Sequence, residues 1–213
     1  MSAVAGERVG LDLMPSQVLR KRAWLVGFGA VVVGAAIGGL IGLFGGRLAG
    51  LIAAVVVAVP LILLAWSEAR RHVWLADGVV AVRAFGTRQV DLRRLAKIEL
   101  LITEVRGTRS VGLLISGPPK GKAINLAVAS YTATGGRELG ALPLRRLADA
   151  LAGGEEPRGL VFAELLVAQL RAEAREAAGP ERPLCRIAAL VQGGHLAQRL
   201  HPDAVTQFVA SLD

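Results

Sequence analysis

Two apolar runs separated by only three residues constrain this chain more than any other feature of its sequence. Residues 23–44 are 22 residues with no charged, hydroxyl or amide side chain, and residues 48–66 are 19 more. As helices they would span ~33 Å and ~28 Å, against a bilayer hydrocarbon core of ~30 Å. Only Gly45, Gly46 and Arg47 lie between them, and Arg47 is the one charge from Ala23 to Trp66. So short a link makes the two helices antiparallel neighbours, and glycine supplies the backbone freedom for the reversal. The expectation is a two-helix transmembrane hairpin: residues 1–22 before it, spans at 23–44 and 48–66, and an extracytoplasmic turn at 45–47. Apolar runs of this length need lipid around them, which argues against a buried soluble hairpin. A signal peptide would also open on a basic cluster such as Arg20-Lys21-Arg22. The first run is longer than a typical signal core, however, and a second follows without a cleavage site and polar exit between them.

Orientation follows from the basic residues beside the spans. Arg20, Lys21 and Arg22 precede the first span, Arg70 and Arg71 follow the second, and the turn holds Arg47 alone. Both termini are therefore expected in the cytoplasm. Trp24 and Trp66 would then lie at the cytoplasmic interface, where indoles settle.

The first span carries Gly34, Gly38, Gly42 and Gly46 at four-residue spacing, extended by Ala30; the second carries Gly50, Ala54 and Ala58. Small residues on one face let another helix approach closely. Gly34, Gly38 and Gly42 are the expected helix-packing residues. The economical partner is the other half of the hairpin, and the sharper alternative is a homo-oligomer joined through the glycine face.

The formal net charge of +8 is unevenly placed. Residues 67–122 hold 11 Lys/Arg against 5 Asp/Glu, whereas residues 123–213 hold 9 against 10. The positive excess next to the spans suits a surface facing anionic lipid, with Arg20, Lys21, Arg22, Arg70 and Arg71 as its candidate contacts. Nucleic acid is not expected, because the basic residues are not interleaved with aromatics.

Past residue 66 the pattern becomes short strands broken by turns. Val73-Trp74-Leu75 leads into Asp77-Gly78, a strong hairpin signal. Strands follow at 79–85, 89–92, 97–105, 111–116 and 122–129, with turns at Arg106-Gly107-Thr108-Arg109 and Gly117-Pro118-Pro119. Such spacing predicts an antiparallel sheet or small barrel. A helix at 143–152 follows, with Leu144, Leu147, Ala148 and Leu151 on one face.

The stretch Leu75-Ala76-Asp77-Gly78-Val79-Val80-Ala81-Val82-Arg83, then Val90-Asp91-Leu92-Arg93-Arg94-Leu95-Ala96-Lys97-Ile98, resembles the start of a bacterial pleckstrin-homology-like (PH-like) domain. Such domains often follow a pair of transmembrane helices. The layout is similar to that of many membrane proteins of high-GC Gram-positive, actinobacterial-type bacteria. The resemblance covers residues 73–152. It implies a partly open antiparallel barrel capped by a C-terminal helix, here 143–152, and a tendency toward membrane-associated binding or scaffolding. It implies no catalytic residues.

The fold class expected is thus a transmembrane hairpin followed by an α+β cytoplasmic domain: a PH-like sheet at 67–152 and a helical region at 153–213. In the latter, a helix at 160–178 has Phe162, Leu165, Leu166 and Leu170 as its stripe. A last helix after His201-Pro202-Asp203 has Val205, Phe208, Val209 and Leu212. Residues 185–191 read equally as strand or helix.

Chemistry is sparse. Gly117-Pro118-Pro119-Lys120-Gly121-Lys122 lacks P-loop spacing, and its prolines remove donors a phosphate would need. His72, His195 and His201 have no two-ligand metal spacing. The single cysteine, Cys185, suits a reducing cytoplasm and a structural role; Arg186 beside it would lower its pKa. No catalytic, cofactor or metal residues are nominated. The expected function is a non-catalytic, membrane-anchored binding or scaffold protein of the bacterial plasma membrane, contacting anionic lipid or a protein partner. The alternative is a membrane enzyme acting on lipid or envelope precursors.

Overall fold

The computed structural model describes residues 8–13, 16–69, 72–83, 86–119, 121–190 and 197–212, with side chains left undescribed at 16–23 and 67–69. The chain divides into two compact units. One comprises the described parts of Met1–Leu13, His72–Val82 and Thr87–Asp213; the other, those of Met14–Arg71 and Arg83–Gly86.

The first unit is α+β. Its strands are β1 (Val9–Gly10), β2 (His72–Ala76), β3 (Val79–Arg83), β4 (Thr87–Asp91), β5 (Lys97–Val105), β6 (Thr108–Ser116), β7 (Ile124–Thr132), β8 (Gly135–Glu138) and β9 (Ala197–Leu200). They form two sheets, ordered β1-β2-β3-β4 and β8-β7-β6-β5-β9. The β2–β3 hairpin turns at Asp77 (φ 50°) and Gly78 (φ 78°), and β5–β6 at Arg106 (φ 50°) and Gly107 (φ 74°). Two successive positive φ angles are what a two-residue hairpin turn demands, hence the Asp-Gly and Arg-Gly pairs. In β5 alternation places Ile98, Leu100 and Ile102 in the core, and in β6 Val111, Leu113 and Ile115.

The helix α2 (Ala141–Ala152) buries Leu144, Leu147, Ala148 and Leu151, the stripe its sequence periodicity marks. Then come α3 (Pro157–Ala174), α4 (Pro183–Leu190) and α5 (Pro202–Ala210). Phe162, Leu165, Leu166, Leu184, Ile187, Val205 and Phe208 join the strand residues in one continuous apolar cluster. Residues past 153, set apart from the sheet by sequence alone, therefore share its core. The ambiguous stretch around 185–191 is helical through Leu190, because Leu184, Ile187 and Ala188 are buried at helical spacing. Residues 197–200 add a strand, β9, that pairs antiparallel with β5 from Leu100↔Leu200 to Thr103↔Ala197.

The short β1, like β8, is a further element the sequence did not announce. Val9 pairs with Leu75 and Gly10 with Trp74. Leu11 N–H donates to the Val73 carbonyl at 2.9 Å, and Val73 N–H to Asp12 Oδ1 at 3.0 Å. Arg8 lies over the Trp74 ring, 5.9 Å from its centroid. Residues on either side of the long apolar stretch thus meet in one sheet.

That stretch is α1 (Ser16–Ala69), with non-helical backbone at Gly46 (φ 83°, ψ 167°) and Pro60 inside it. From Trp24 to Trp66 it is long and apolar enough to cross a membrane. Its large side chains are bare: Trp24 is 80% exposed, Leu43 81% and Phe44 89%.

Leu11 is 2% exposed, although only a few residues tie its segment down. Leu11→Ala should destabilise the first unit by about 2–4 kcal/mol, the cost of a large-to-small core change. Chemical unfolding followed through Trp74 will measure it. An unchanged midpoint would mean that residues 8–13 are a free tail.

Candidate functional site

The helix-packing glycines line a seam between the two halves of α1. A Cβ added to Gly34 would meet Ala58 Cβ at 2.9 Å and the Ala54 carbonyl oxygen at 3.0 Å. One added to Gly38 would meet Ala54 Cβ and the Gly50 carbonyl oxygen, both at 2.6 Å. One on Gly50 would collide with Gly38 O and lie 2.8 Å from Gly42 Cα. The halves on either side of Gly46 therefore lie face to face, backbone against backbone. Gly34 and Gly38 are covered from within the chain. Gly42 is looser, 3.6 Å from Gly50 Cα to its added Cβ. Ala30, one step earlier in the series, is 4% exposed. At Gly46 the positive φ ends one half and starts the next, a conformation glycine reaches without strain.

Of the candidate lipid contacts, Arg70 and Arg71 lie outside the described residues. Arg20, Lys21 and Arg22 are on the backbone of α1, and their side chains lie outside the described residues. Other basic residues of the first unit are partly engaged. Lys97 Nζ lies 2.9 Å from Glu99 Oε1, and Arg94 Nε 4.0 Å from Glu155. Arg93 lines a cleft of about 550 Å³ with Arg146, Asp77 and Asp149, two bases against two acids.

Glu99 is the most unusual charge: its side chain is 6% exposed. Arg199 on β9 reaches its Oε2 at 3.9 Å, and that oxygen accepts no hydrogen bond among the described residues. The hydrogen bond from Lys97 holds the Glu99 carboxyl below the usual range; burial opposes this, and the charges of Lys97, Arg199 and His201 reinforce it. Of these cations Arg199 alone reaches across from β9, adding a charge contact to the backbone ladder with β5.

A second polar network joins β7–β8 to the start of α4. Tyr131 O–H donates to Glu138 Oε1 at 2.7 Å, and Arg182 Nη1 donates to Glu138 Oε2 at 2.6 Å. Arg182 Nε also donates to the Ala177 carbonyl at 3.0 Å. Burial, then the bond to Glu138, raises the Tyr131 phenol, and the bond to Glu138 raises Arg182. Nearby Cys185 is half-buried, and burial pushes its thiol up, with the charge of Glu138 adding to the shift. The lowering expected from Arg186 does not appear. An upward-shifted thiol is a poor nucleophile at neutral pH.

His72 Nδ1 lies 3.4 Å from Asp12 Oδ2, His201 precedes α5, and His195 lies outside the described residues. Among the described residues no three His, Cys, Asp or Glu side chains come together as a metal-holding group. The Gly117-Pro118-Pro119 loop packs on β4: Asp91 N–H donates to the Pro118 carbonyl at 3.2 Å, and Pro119 bridges Val90. Lys120 lies outside the described residues.

Gly38→Leu should separate the halves of α1 and lower the melting temperature of the full chain in detergent, whereas Gly39→Leu, with open space around it, should not. Equal melting for both would leave the seam without energetic weight. Glu99 titrates lower in the folded chain than in the unfolded one. Its contribution is therefore complete above an unfolded pKa of about 4.3 and is lost as pH falls through the depressed folded value. Stability of Glu99→Gln should accordingly fall less steeply than wild type below about pH 4. Parallel stability curves would remove that linkage.

No family model, no curated protein and no solved structure matches this chain.

Proposed function

We propose that this chain is a non-catalytic, membrane-anchored binding or scaffold protein of the bacterial plasma membrane. In this reading it has two spans, both termini in the cytoplasm and a PH-like soluble domain. The observation that carries the reading is the pairing of β1 with β2 across the apolar stretch. An excursion that leaves a sheet after Leu13 and rejoins it at His72 crosses a bilayer an even number of times or not at all. The bare apolar surface from Trp24 to Trp66 favours crossing, since in water it would be an aggregation surface. The break at Gly46 and the seam at Gly34 and Gly38 favour two crossings. The flanking basic residues favour both ends in the cytoplasm.

Support for the PH-like reading is topological. Seven consecutive strands, β2 to β8, lie in two antiparallel sheets, and an amphipathic helix, α2, follows at once. On this reading Arg20, Lys21, Arg22, Arg70 and Arg71 meet anionic headgroups, each contributing about 1 kcal/mol at low salt. The soluble unit presents its remaining surface to a protein partner.

Cysteine accessibility tests the topology. In intact cells an impermeant maleimide should label Arg47→Cys and leave native Cys185 and a Ser2→Cys variant unlabelled until lysis. Labelling of Ser2→Cys but not Cys185 would indicate a single crossing, and the fully reversed pattern would invert the orientation.

A further inference from the structure

Two clefts of about 530 Å³ each meet at Arg186 on the surface built by α3, α4 and α5. Their linings differ in character. The first gathers Arg171 from the last turn of α3 and Arg175 at its C-cap, with Arg186 from α4, and Glu181 is its one acid. The second is apolar, walled by Ala189, Leu190, Ala204 and Phe208, with Cys185 at its side. Leu190 is 62% exposed there.

The three arginines are not consumed by the fold. Among the described residues none of them forms an ion pair. Nor are they needed to satisfy the end of α3. The carbonyls of Arg171, Ala172 and Glu173 already accept from the backbone N–H groups of Arg175, Ala177 and Glu176. Arg182 makes the contrast, since both its Nη1 and its Nε are bonded. Arg186 is held differently, its guanidinium over the Phe208 ring at 5.8 Å from the centroid. Stacking occupies the face of a guanidinium and leaves its edge donors for an anion in the plane. Phe208 belongs to the apolar cleft, so Arg186 stands where the two clefts join.

Three guanidiniums against one carboxylate call for an anion, and their planar forks suit phosphate oxygens. The adjoining apolar cleft calls for a hydrocarbon portion on the same molecule. We infer that this surface binds an anionic phospholipid-type amphiphile, its phosphate monoester among Arg171, Arg175 and Arg186 and its chain along Leu190 and Phe208. The inference does not depend on how the long apolar stretch is placed.

Cys185 provides the readout, being the chain's single thiol and lining the apolar cleft. The full chain in phosphatidylcholine nanodiscs would be titrated with dihexanoyl phosphatidic acid, with dihexanoyl phosphatidylcholine and inorganic phosphate as separate arms. Calorimetry gives affinity, and the alkylation rate of Cys185 gives occupancy. Phosphatidic acid should bind and slow alkylation several-fold, and the other two should not. The double variant Arg171→Gln/Arg186→Gln should weaken binding at least tenfold at an unchanged melting temperature. If that variant proves unstable, the single exposed change Arg175→Gln serves the same purpose. Equal protection by the choline lipid, equal binding of phosphate alone, or undiminished affinity in the folded arginine variants would each overturn the proposal.

Discussion

The antiparallel contact between residues 9–10 and 74–75 is the constraint on which the rest of this architecture depends. It is short, yet it closes a loop containing the whole apolar stretch. Leu11 and Asp12 extend it by bonding to Val73, so the junction combines an edge strand, a buried leucine and a carboxylate accepting a backbone N–H. A contact of such sequence separation forms late, because the intervening chain must first be placed. The first sheet is therefore incomplete until both ends of α1 are brought together. The integrity of the first unit is tied in this way to the fate of the apolar stretch.

What the sequence disclosed was what local physics encodes. Asp77-Gly78 and Arg106-Gly107 announce their turns because both central positions need positive φ. The stripe of α2 was legible because four buried residues recur at helical spacing. The glycine series was visible because its four-residue period is set by one helix alone. Strands β1, β8 and β9 were not legible. Two to four residues carry too little periodicity to read, and β1 and β9 exist through partners distant in the chain. The stretch beginning at Cys185 stayed ambiguous for the same reason: burial of Leu184, Ile187 and Ala188, rather than propensity, makes α4 a helix.

The polar sites divide along the same line. Lys97 and Glu99 are two apart on one strand, so their pairing follows from β geometry. Nothing local shows that Glu99 is buried, or that Arg199 arrives from β9 to face it. Glu138 and Arg182 are 44 residues apart, and only the packing of α4 beside the β7–β8 hairpin joins them. The balance of charge was readable by counting. Which charges are already committed was not.

That distinction separates a structural arginine from one available for binding. Arg182 and Arg186 sit one turn apart with the same side chain. Arg182 meets a carboxylate that is 12% exposed and a loop carbonyl, so its removal would leave Glu138 without its cation. Arg186 meets an aromatic face, which attracts a cation without neutralising it. Among the described residues it has no ion-pair partner, and its charge adds to those of Arg171 and Arg175 around a cleft with Glu181 as its one acid. Like charges gathered on one surface are a cost that an ordinary fold disperses. An anion seated among them would remove that repulsion, and the hydrocarbon wall beside them favours an anion that carries a chain.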